Sequence, residues 1–121
     1  MSNEKINLKE KLSLFDEHWT PKIIAELNGQ QLRLAKVKGE FVWHDHTEQD
    51  ELFLVLKGSL TIKMHDRDVH LNEGELFIVP KGVEHKPVAE EECHVLLFEP
   101  GDIAHTGDVK SELTIEEPEW I

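Results

Sequence analysis

From Lys22 onward the chain is a procession of short apolar runs cut by glycine-containing turns, and this punctuation constrains the fold more than any other feature. Ile23 to Leu27 and Gln31 to Val37 flank Asn28-Gly29, a hairpin signal because both residues of that dipeptide tolerate positive φ. Leu52 to Leu56, Ser59 to Met64, Val69 to Leu71, Leu76 to Val79 and Val95 to Phe98 follow, separated by Lys57-Gly58, a polar turn at His65 to Asp68, Asn72-Glu73-Gly74 and a Pro80-Lys81-Gly82 stretch. Short strands in such a series predict an all-β sandwich or closed barrel. Ahead of them, Asn7-Leu8-Lys9-Glu10 has the form of a capping box, and Leu8, Leu12 and Phe15 share one helical face. A short amphipathic helix over about 8–17 is predicted, with Pro21 starting extended structure.

At 121 residues the chain is expected to be one domain, with a barrel core over about 22–100 and a tail over 101–121. No stretch has the uninterrupted apolar length of a membrane-spanning helix. A formal charge of −12 argues against nucleic acid and anionic membranes as partners, since phosphate contacts need clustered Lys and Arg. The single cysteine, Cys93, rules out an intrachain disulfide, and with no apolar leader at Met1 to Lys5 a cytoplasmic location is expected. Leu52 to Leu56 and Leu76 to Val79 are apolar at every position rather than alternating. Both faces of those strands are then expected to be covered, which predicts a homodimer.

Polar chemistry concentrates at His44-Asp45-His46, Glu51 and His85. On a strand, His44 and His46 project to the same face with Cα atoms about 6–7 Å apart. Glu51 opens the next strand, and His85 closes the turn-rich stretch after Pro80. An antiparallel barrel could bring these three imidazoles and one carboxylate onto one ion. Such a donor set suits divalent Mn, Fe, Co, Ni, Cu or Zn better than Ca or Mg. With eight histidines in the chain, His-x-His alone carries little weight; its coincidence with Glu51, His85 and the turn glycines carries much more.

Those residues resemble the two motifs of the cupins. Gly39, His44, His46, Glu51 and Gly58 are similar to the first motif, with an opening gap one residue shorter than usual. Gly74, Pro80, Gly82 and His85 are similar to the second, whose final Asn is replaced here by Ala89. The resemblance is to small single-domain cupins, often described as similar to mannose-6-phosphate isomerases. It implies a double-stranded β-helix (jelly-roll) barrel and one divalent transition metal ion held by His44, His46, Glu51 and His85. Four protein ligands leave up to two octahedral positions for water or substrate, which implies a metal-dependent enzyme of isomerase or dioxygenase type acting on a small organic molecule. The alternative is a small-ligand-binding or sensing module without turnover.

Strand phase places Val42, Phe53 and Val55 toward the cavity with Glu51, and Phe77 and Val79 are expected to join them as an apolar substrate pocket. Trp43 is expected to point away, against an outer layer or a dimer partner. Arg33, Lys81 and Lys86 are the cations able to approach the rim. His105, in His105-Thr106-Gly107-Asp108, is a further pocket candidate by folding over the barrel mouth, against the simpler expectation of a surface loop. His18, His65 and His70 are expected at the surface, His94 capping or lining a strand, and Cys93 as a packing residue.

Overall fold

Asn28 and Gly29 adopt φ values of 51° and 79°, so β1 (Lys22–Leu27) folds back on β2 (Gln30–Glu40) as the dipeptide predicts. The computed structural model describes residues 4–100 and 118–121. Its other strands are β3 (Glu51–Lys57), β4 (Leu60–Met64), β5 (Asp68–Leu71), β6 (Leu76–Val79), β7 (His85–Pro100) and the short β8 (Glu119–Trp120). Their order is β5-β4-β7-β2-β1-β8, with β3 pairing both β7 and β6. The 16-residue β7 organises the whole, because it is antiparallel to β2, to β3 and to β4. This is an all-β jelly-roll barrel with little helix, as the punctuation predicts.

Alternation decides what fills the barrel. On β3, Glu51, Phe53 and Val55 are buried while Leu52, Leu54 and Leu56 are half-buried. Phe53 and Val55 join Ala35, Val37, Leu60 and Ile62 in the interior core. Gly58 turns β3 into β4 at φ 85°, where a Cβ would stand 3.0 Å from the Glu92 carbonyl oxygen, so only glycine fits without displacing β7.

A second apolar cluster lies outside the barrel, where Phe15 packs with Ile24 and Leu34 against Leu8, Leu12, Leu56 and Leu96. The N-terminal segment therefore covers part of the outer face. Its helix, α1, is shorter than the sequence pattern predicts: it spans Leu8–Leu12 and not 8–17. Asn7 caps it as expected, accepting the Glu10 N–H at 3.0 Å. Ser13 stops it, its hydroxyl donating to the Glu10 carbonyl at 2.6 Å, and the chain then leaves the helix to bury Phe15. On β6, by contrast, Leu76 and Ile78 are 55% and 48% exposed. Among the described strands β6 pairs only with β3.

The segment carrying the first histidines is not the regular strand expected. β2 ends at Glu40, and of residues 41–46 only His44 makes a bridge, antiparallel to His85. Bonds from the Phe41 N–H to the Pro87 carbonyl and from the Gly82 N–H to the His46 carbonyl, both 2.9 Å, hold the rest against the chain around His85. Pairing is thus interrupted between Phe41 and His44, and the two-residue phase fails there.

Candidate metal centre

His44, His46, Glu51 and His85 come together from three stretches of chain, and each is buried. One donor atom from each lies within 4.8 Å of all the others, close enough to surround a single ion. The backbone bridge sets the first pair: the His44 N–H donates to the His85 carbonyl and the His85 N–H to the His44 carbonyl, both at 2.9 Å. The ring orientations are set locally. His44 Nδ1 donates to the Val42 carbonyl at 2.9 Å, and His85 Nδ1 donates to the Val83 carbonyl at 2.9 Å. Each ring therefore turns Nε2 toward the cluster, where it is available to an ion, the arrangement in which a carbonyl behind an imidazole fixes its tautomer.

The electrostatics favour a cation. Burial, then the neighbouring charge of His85, pulls the His44 imidazole down to about 4, so it is neutral near pH 7. Its buried Nε2 has no hydrogen-bond partner among the described residues. Burial alone would raise the Glu51 carboxyl, but contacts from His46 Nε2 and His85 Nε2, each 3.3 Å from Oε1, prevail and hold it well below the usual carboxylate range. An orphaned imidazole nitrogen beside a carboxylate held ionised is a donor set that fits a divalent transition metal.

Two further residues complete the polar side of the cluster. Arg33, fully buried, donates from Nη1 to Glu99 Oε1 at 3.0 Å and from Nε and Nη2 to Gln31 Oε1 at 3.1 and 2.8 Å. Glu99 is 1% exposed, and burial first, then the charge of adjacent Glu51, raises its carboxyl well above the ordinary range against the pull of Arg33. The buried Arg33–Glu99 pair thus sits beside the Glu51 carboxyl, whose charge acts on Glu99. Glu99 was not anticipated, although it continues the inward phase of Val95 and Leu97 on β7. Arg33 was expected at the rim and is instead internal. Lys86 pairs with Glu40, and Lys81 is exposed.

Beside His44 and Glu51 lies a narrow apolar cavity of about 30 Å³. Phe53 lines it. Val55 and Val79 are buried in the same core without lining it, and Phe77 packs partly buried against that core with Arg67 5.6 Å from its ring. Val42 is half-buried; with the strand phase interrupted, Phe41 takes the inward position expected of it. Trp19 also lines the cavity, at a position that no periodic pattern between the helix and Pro21 covers. His105 lies outside the described residues. Trp43 turns away from the cluster as expected and stacks on His65, with ring centroids 4.5 Å apart. Cys93 is fully buried, its thiol pushed up to about 11 by burial and then by Glu73.

The Cupin domain family matches residues 32–99, more than half of the chain. The protein is a cupin. A crystal structure of a cupin-2 domain containing protein from Shewanella frigidimarina is 52% identical, with a TM-score of 0.78 over 78% of this chain and 93% of that one. A Neisseria meningitidis protein is 35% identical, with a TM-score of 0.74 over 80% and 99% of the two chains. Among curated proteins, YdbB of Bacillus subtilis, described as uncharacterized, is 41% identical over 52% of this cupin and 57% of its own length. The 3-hydroxyanthranilate 3,4-dioxygenase of Xenopus laevis is 30% identical over 78% of this cupin but only 36% of its own length. The chain thus spans a little over half of one curated relative and about a third of the other.

Proposed function

We propose that this cupin is a metal-dependent enzyme acting on a small organic substrate, with His44, His46, Glu51 and His85 as the ligands of one divalent transition metal ion. The observation that carries the reading is the convergence of four buried donors within 4.8 Å, two of them with Nδ1 tied to a carbonyl. A bound ion at such a site supplies Lewis acidity to a carbonyl or enediolate, or a seat for dioxygen. The residues supply the rest: burial keeps His44 neutral, the carbonyls of Val42 and Val83 orient two rings, and Glu99 with Arg33 flanks Glu51.

Dioxygenase chemistry is favoured over sugar-phosphate isomerisation. The dioxygenase relative supports the former. Against the latter, the buried guanidinium beside the cluster is engaged by Glu99 and Gln31. We further propose that the protein works in the cytoplasm as a homodimer. Buried Cys93 fits a reducing compartment, and exposed Leu76 and Ile78 on β6 fit a self-association face.

Metal analysis of untagged protein purified without oxygen tests the central claim, with His46→Ala as control. About one transition metal per chain in the wild type, and little in the variant, is the expected result. No stoichiometric metal, even after reconstitution with Mn, Fe, Co, Ni, Cu or Zn, would overturn it. A small molecule that binds loaded protein and is never consumed would favour the sensing alternative.

A further inference from the structure

We propose that Trp19 is a specificity-determining residue, limiting the cavity beside the metal cluster to a single flat, uncharged ring. This rests on the metal-dependent reading above only in assigning that ring to the substrate.

Trp19 has φ 57°, a left-handed conformation that is a genuine outlier for so large a side chain. Such strain persists only where the surroundings over-determine it, and it gathers at sites of function. Two hydrogen bonds fix the residue here: its N–H donates to the Lys36 carbonyl and its indole Nε1–H to the Lys38 carbonyl, both at 2.9 Å. The indole is thereby laid against Phe41, with ring centroids 4.5 Å apart and planes 15° from parallel. Phe41 in turn stands edge-on to His44, at 5.5 Å and 90°. A continuous aromatic wall therefore runs from a candidate ligand to the mouth of the cavity.

The rest of the lining is apolar and includes Pro21, Leu60, Pro87 and Leu97, and among the described residues the only ionisable groups on it are His44 and Glu51. A charged head group entering there would lose its hydration with no partner among the described residues except the cluster itself. An uncharged ring would gain contact with that aromatic stack and with apolar side chains, with one polar substituent directed at the candidate ligands. Phe41 is buried and Trp19 packs partly buried against the core, so the indole is the less buried ring of the stack and the one whose removal would widen the cavity.

Ligand-observed NMR titration of phenol and 2-naphthol tests this, in metal-free and Zn²⁺-loaded full-length protein. Wild type should bind phenol at least tenfold more tightly than 2-naphthol. Trp19→Gly removes the indole at a position whose φ suits glycine, and it should erase that preference. Phe41→Leu, which removes the second ring of the stack, should reduce it several-fold. A wild type that binds both probes equally, or binds neither while loading Zn²⁺, overturns the proposal and leaves the metal reading standing. An unchanged ratio in a folded Trp19→Gly protein overturns it as well. Discrimination retained by wild type and lost in Trp19→Gly, in a protein that takes up no metal, supports the role of Trp19 and sinks the metal reading alone.

Discussion

Replacing Glu99 by leucine should cost far more than replacing it by glutamine. Arg33 is fully buried and Glu99 is 1% exposed, with Nη1 and Oε1 3.0 Å apart. Leucine removes the acceptor and leaves the guanidinium facing an apolar group. Removing one member of such a buried pair typically costs about 3–5 kcal/mol. Glutamine keeps a carbonyl oxygen as the acceptor for Arg33, so its cost should be about 1 kcal/mol or less. For a chain of this length 1 kcal/mol moves Tm by about 3–5 °C, so Glu99→Leu should lower it by about 10–20 °C and Glu99→Gln by no more than about 5 °C. The double change Arg33→Met with Glu99→Leu should recover much of the loss, because no buried charge is then stranded. Thermal and urea denaturation of metal-free protein at pH 7 measure all three. Equal losses for leucine and glutamine, or a double variant as unstable as the sum of its singles, would refute the claim that the Arg33 charge dictates the requirement.

Acid should weaken the metal-free barrel through His44. Its folded value of about 4 lies below the ordinary 6.5, so the unfolded chain takes up the proton first and stability falls as pH drops from about 6.5 to 4. The loss should be of order 3 kcal/mol and should shrink in His44→Gln, as read by urea midpoints at pH 4.5 and 7. Loading Zn²⁺ at 100 times its Kd should add about 2.7 kcal/mol to unfolding stability, and chelation should remove it; an identical gain in His85→Ala would place the ion elsewhere. Gly58→Ala should cost about 1–3 kcal/mol, since it combines φ 85° with a 3.0 Å approach to the Glu92 carbonyl, and wild-type stability would refute that contact. Light scattering should give a dimer mass for the wild type that falls in an Ile78→Lys variant, whereas a concentration-independent monomer mass would end the homodimer proposal.

The fold was legible because its determinants are local. Asn28-Gly29 and Gly58 mark turns through backbone conformations that other residues adopt at a cost, and β3 declares its inner face by alternation. The four clustered donors were legible by spacing, with the cupin resemblance supplying what spacing alone could not. What escaped were residues whose roles depend on exceptions to periodicity. Phe41 displaces Val42 because pairing lapses between β2 and His44, an irregularity no two-residue pattern contains. Trp19 owes its place to an unusual φ, and Arg33 and Glu99 owe theirs to each other across 66 residues of sequence. The helix fell short because Ser13 and Phe15 prefer a cap and a core position to two more turns.

The long strand β7 also sets the order in which this molecule can assemble. Its partners on β2 are some sixty residues earlier, Leu34 meeting Leu96 and Leu32 meeting Phe98, and the same strand begins with His85. The early hairpin of β1 and β2 can form as soon as it is made, but neither the barrel nor the cluster can close until β7 arrives. Contacts so distant in sequence make folding slow, on the scale of milliseconds to seconds. During that interval His44, His46 and Glu51 wait without their fourth companion, so the four-donor cluster is completed only as the barrel closes.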